Sequence, residues 1–120
     1  MTADLSPTPM TDSEYQARAG AVLAGIEARI DGWLEDDVVD IDTHRNGGLL
    51  EMSFPNGSKI ILNTQPPLQE LWLAARSGGF HYKFVAGAWR DTRDGRELFE
   101  ALSACASEQA AQTLQFTPPA

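Results

Sequence analysis

The sequence predicts an α+β fold, a two-layer sandwich in which an N-terminal and a C-terminal helix pack on one face of a five- to six-stranded antiparallel sheet. Three observations carry this expectation. Apolar residues recur at helical spacing in the first third of the chain and again near its end. Between those stretches the apolar period changes to two. The period-two segments are joined by short turn signals rather than crossovers, so the strands lie antiparallel and can leave one face in water. Two terminal helices with one apolar stripe each would share the other face.

Residues 1–10 are polar, contain two prolines and read as a disordered tail. Thr11, Asp12, Ser13 and Glu14 fit a capping box, with Thr11 as N-cap and Glu14 at the third helical position. The helix that follows is expected to run to about Trp33. Tyr15, Ala19, Val22, Ile26, Ile30 and Trp33 fall within an arc of about 80° at 100° per residue, which is a single buried stripe. From Val38 the pattern alternates: Val39, Ile41 and Thr43 against Asp40, Asp42 and His44, a strand with one polar face. Asn46-Gly47-Gly48 is a turn. Leu50, Met52 and Phe54 make the inner face of a second strand, and Asn56-Gly57 closes a hairpin into a third over 59–63. Pro66-Pro67 breaks the ladder, since neither can donate to it. Strands follow over 71–73, 80–85 and 88–90, and Leu98, Leu102, Cys105, Ala106 and Gln109 place a second helix over 96–110. One domain is therefore expected over 11–116, with a loose tail over 117–120.

Composition narrows the function. The chain has 120 residues, the size of one domain, and 42% hydrophobic residues, enough for one modest core. No apolar run approaches the ~20 residues of a membrane span. Residues 1–10 hold neither a basic residue nor an apolar block, unlike a signal peptide, so the expected compartment is the cytoplasm. The single cysteine, Cys105, excludes an internal disulfide and an all-cysteine zinc or cluster site within one chain. Near the stripe of the last helix, it reads as a buried, inert thiol. Residues 1–42 hold ten acids and two bases, whereas residues 43–120 hold seven of each, so the net charge of −8 lies in the first third. A field of that sign repels nucleic acid and anionic membrane and attracts cations and basic protein surfaces.

The acids are clustered. Glu27, Asp31 and Glu35 are spaced by four on the helix face away from the stripe, and Asp36, Asp37, Asp40 and Asp42 follow at its end and along the first strand. Repulsion among them, added to the negative end of the helix, opposes stability. Carboxylate oxygens suit hard cations such as iron, magnesium, calcium and manganese, and the same surface suits a basic protein patch. A solvated face that only maintains solubility is the competing reading. The chain has no HExxH, EF-hand or Gly-rich phosphate motif. Any metal would be held weakly and exposed, with divalent cations in competition. Trp72 faces water, with Asn63 and Gln65 nearby, if Leu71 and Leu73 face the helices; otherwise it is core and its neighbours are exposed. Trp33 and Trp89 read as core, and His44 as surface.

Asn56-Gly57-Ser58-Lys59, the apolar strand that follows, Asn63, Gln65 before Pro66-Pro67, and Leu71-Trp72-Leu73 resemble the signature of the frataxin family. Gly78-Gly79-Phe80-His81-Tyr82 and Trp89 continue the match, which covers about residues 11–116. The resemblance implies two helices on one face of an antiparallel sheet. It also implies an iron-binding protein (Fe2+ or Fe3+) of iron–sulfur cluster assembly, monomeric without iron, whose bacterial members bind the cysteine desulfurase and contact its scaffold partner. Family ridges map onto Glu27, Asp31, Asp36, Asp37 and Asp40; this chain departs from many relatives in having Ala28, Gly32 and Leu34 among its acids. By the same resemblance, His81 is an auxiliary metal contact, against the plainer reading of a lone strand histidine as structural or merely exposed. Asn63, Gln65 and Trp72 join Glu27, Asp31, Asp36 and Asp37 as partner contacts, and Leu114 and Phe116 pack into the groove between the helices. A regulator without catalysis is expected first. The alternatives are a ferroxidase or iron-storage protein, against which stands the lack of the Glu-x-x-His pairs of di-iron centres, and an acidic protein-binding module with no metal role.

Overall fold

In the computed structural model, residues 6–119 are described. The chain runs α1 (Asp12–Glu35), β1 (Asp42–Asn46), β2 (Leu49–Ser53), β3 (Lys59–Gln65), a short 3-10 turn (Pro66–Leu68), β4 (Glu70–Ala75), β5 (Gly78–Val85), β6 (Ala88–Asp91) and α2 (Leu98–Ala110). The six strands form one antiparallel sheet in the order β1-β2-β3-β4-β5-β6, so each pairs with its chain neighbour. This is the expected two-layer sandwich with the sixth strand formed.

Alternation selects the face. Leu50, Met52, Ile60, Leu62, Leu71, Leu73, Tyr82 and Trp89 point inward and join the α1 stripe and Leu98, Phe99, Leu102 and Ala106 of α2 in one core. The predicted stripe of α1 is buried at all six positions, with Leu23 added. The capping box forms as read: the Thr11 hydroxyl accepts from the Glu14 amide at 3.1 Å, and the Glu14 carboxylate accepts from the Thr11 amide at 2.9 Å. Gln109, buried in α2, ties three elements together. Its side-chain amide donates to the Lys59 carbonyl at 3.1 Å, and its side-chain oxygen accepts from the Arg76 amide at 3.0 Å. Gly48 is required by close approach: a Cβ there would lie 1.9 Å from the Thr64 hydroxyl.

Leu114 and Phe116 are buried as expected, with the Phe116 ring edge-on to Trp33 at 4.9 Å between centroids. Ser107 and Ser103 of α2 hold this extension: their hydroxyls accept from the amides of Leu114 and Phe116 at 2.9 and 2.8 Å. Three expectations are adjusted. The first strand starts at Asp42, because α1 runs on to Glu35 and residues 36–41 are spent on its C-terminal turn and the crossing to the sheet. The second helix starts two residues later than read, because Glu97 caps it, accepting from the amides of Phe99 and Glu100. Of the tail expected over 1–10, residues 1–5 lie outside the described residues. Beyond them the chain is tied to the sheet: the Thr8 amide donates to the Phe84 carbonyl at 2.8 Å and the Met10 carbonyl accepts from Gln69 at 3.1 Å.

Candidate functional site

The acids are carried by the end of α1 and the start of β1. The helix closes with the Val38 amide donating to the Trp33 carbonyl at 2.8 Å and the Asp37 amide to Leu34 at 3.2 Å. This is the Schellman pattern, and it places Asp37 in the left-handed position (φ 55°) that glycine favours. Asp36 caps the helix just before it, so two carboxylates sit at the negative end of the helix dipole. Asp31, Glu35, Asp36, Asp37, Asp40 and Asp42 are exposed, and none of them forms an ion pair among the described residues. Glu27, half-buried, is paired with Arg45 of β1. Among the described residues no three His, Cys, Asp or Glu side chains are gathered closely enough to hold an ion. Among the described residues the flank is thus an open field of oxygen donors rather than a cage.

His81 is not brought to this flank. It lies on β5, four strands from β1, roughly 19 Å away at the usual strand spacing. It belongs instead to a second cluster, on the sheet face without helices. Register pairs Asn63 with Trp72 and Trp72 with His81, and in the neighbouring row Gln65 with Glu70 and Glu70 with Lys83. Asn63, Gln65 and Trp72 therefore meet on the open face, and the inward Leu71 and Leu73 decide the two readings of Trp72 in favour of the outer one. The indole and imidazole rings stack at 4.3 Å between centroids with 7° between planes.

Glu70, which sequence reading passed over, organises this face. Its side chain is 10% exposed. One carboxylate oxygen accepts from the Trp72 indole nitrogen at 2.8 Å and lies 3.9 Å from Nδ1 of His81; the other meets Nζ of Lys83 at 3.1 Å. Burial works to raise its pKa, but the Trp72 hydrogen bond and the Lys83 ammonium outweigh it, and the carboxyl is held below its usual 4.5. The only available signal was the i, i+2 spacing of Glu70 and Trp72 in a strand, which puts both on one face.

Two helices covering one sheet face, with an acidic flank and an open aromatic face on the outside, define a small two-layer α+β protein. A family model described as the frataxin-like domain matches residues 8–112. The chain is 53% identical over 108 residues to the iron–sulfur cluster assembly protein CyaY of Burkholderia mallei (strain SAVP1), spanning 90% of this chain and 99% of that one. A frataxin of the CyaY family from Psychromonas ingrahamii superposes with a TM-score of 0.79 at 39% identity, over 90% of this chain and 99% of the other. A trimeric frataxin from the yeast Saccharomyces cerevisiae, complexed with ferrous iron, shares the fold with a TM-score of 0.67 at 20% identity, over 91% and 94% of the two chains. The chain belongs to the frataxin family. No helix among the described residues is long and apolar enough to cross a membrane.

Proposed function

We propose that the chain is an iron-binding regulator and adaptor of iron–sulfur cluster assembly. Its acidic flank engages a basic surface of the cysteine desulfurase, and its open sheet face engages the scaffold protein. Iron is cargo, held weakly at Glu27, Asp31, Glu35, Asp36, Asp37, Asp40 and Asp42. The observation that carries this reading is the run of six exposed carboxylates without countercharge, two of them placed where the helix end makes them costly. Membership of the family supports the pathway, and the oxygen-only donor set suits a hard cation.

A pull-down with the desulfurase tests the flank. The D31K/D36K/D37K variant is expected to recover far less desulfurase than the wild type, and equal recovery would remove the flank from the docking surface. Titration with Fe(II) under argon tests the cargo: NMR signals of residues 27–42 should broaden first, and uniform broadening would argue against a site there.

A further inference from the structure

On the open face the indole nitrogen of Trp72 is already engaged by Glu70, at 2.8 Å, and one ring face is covered by His81 at 4.3 Å. Trp72 is half-buried, so what it still offers a partner is the part of the ring left uncovered by His81. Glu70 is itself fixed from two sides. Its backbone carbonyl accepts from the buried Tyr15 hydroxyl at 2.6 Å, and its second carboxylate oxygen is held by Lys83, whose ammonium also donates to the Leu68 carbonyl at 3.1 Å. A carboxylate that is 10% exposed and bonded in this way holds the ring in one orientation before any partner arrives.

We infer that Glu70 is a positioning residue which presets the Trp72 indole, and that the partner meets this ring through an apolar or planar side chain laid on its exposed part rather than through a hydrogen bond from the indole N–H. The inference rests on the proposal that the scaffold protein docks on this sheet face, and it adds how the face is read. Consumption of the indole donor by Glu70 is a specificity device. A partner acceptor aimed at that nitrogen would have to displace a charged acceptor already in place, whereas an apolar group finds a rigid, partly desolvated ring.

The test compares W72F, W72A, E70Q and E70L for affinity to the scaffold protein, together with the Trp72 indole N–H signal, assigned through its loss in W72F. In the wild type that signal should show slow solvent exchange and a hydrogen-bonded shift. E70Q, which keeps an acceptor oxygen, should retain most of that protection, whereas E70L should lose it and weaken scaffold binding on the order of ten-fold. W72F, which keeps an aromatic face without the donor, should bind nearly as the wild type does, while W72A should lose most affinity. Fast exchange of the indole proton in the wild type would overturn the inference, even if E70L proved too unstable to assay. So would E70L binding at wild-type strength, or W72F binding as poorly as W72A. If W72A bound as tightly as the wild type, the sheet-face docking itself would fall, an outcome distinct from these.

Discussion

Tyr15 of α1 reaches through the core to β4, where its hydroxyl donates to the Glu70 carbonyl at 2.6 Å and accepts from the Gln65 amide at 3.0 Å. The ring is fully buried, and burial, ahead of the opposing Gln65 bond, pushes its hydroxyl pKa up, so it stays protonated. Helix and sheet are thus joined at the residue whose side chain organises the opposite face. Tyr15→Phe should cost about 1–3 kcal/mol, because one buried and one half-buried backbone group lose a partner. Urea unfolding followed by circular dichroism measures this, and a change within error of zero would mean that water replaces the hydroxyl.

Glu70 makes stability depend on acid pH. Its folded carboxyl is held below the usual 4.5, so the unfolded chain takes up the proton first as the pH falls. The contribution is complete above that usual value and is lost as the pH drops through the folded one. Wild type should therefore exceed E70Q in stability at pH 6–7, and the two should converge as the pH falls below the usual 4.5. Parallel curves across that range would show that the ionised carboxylate contributes nothing.

The C-terminal extension packs against both helices. Phe116→Ala should remove about 3–5 kcal/mol, since a buried ring edge-on to Trp33 leaves a cavity. Deletion of residues 114–120 should lower the melting temperature at least as much. An unchanged thermal transition in the truncated protein would contradict the packing described for Leu114 and Phe116.

Asp37 should show function opposing stability. Asp37→Gly relieves a left-handed backbone (φ 55°) and removes a negative charge from the helix end, and should stabilise by up to about 1 kcal/mol. The same variant should bind the desulfurase less well. Lower stability in D37G would mean that the carboxylate holds the turn together by contacts other than those described.

Elements with a repeating pattern were legible in the sequence. The stripe of α1 repeats six times and its cap is a local motif, so both followed from spacing alone. The strand order followed from turn signals. The start of α2 was less legible because Glu97 is an unusual N-cap, a residue whose backbone is also bridged to Arg90 from a distance in sequence. The acidic flank is continuous in sequence and was visible as a cluster. The Glu70 cluster was not: Lys83 and His81 come from the next strand, and only the register brings them opposite Glu70 and Trp72. A lone acid in an apolar strand reads as solvated until its cross-strand partners are known.

The sequential order of the strands also bears on synthesis. Each strand finds its neighbour as soon as the next one leaves the ribosome, so the sheet can grow by hairpins alone. The part of its inner surface that α2 and Phe116 cover nevertheless stays open until those residues emerge. Nascent chains stalled before residue 98 should therefore be cut readily by protease, whereas chains that extend past Phe116 and have left the ribosome should resist it.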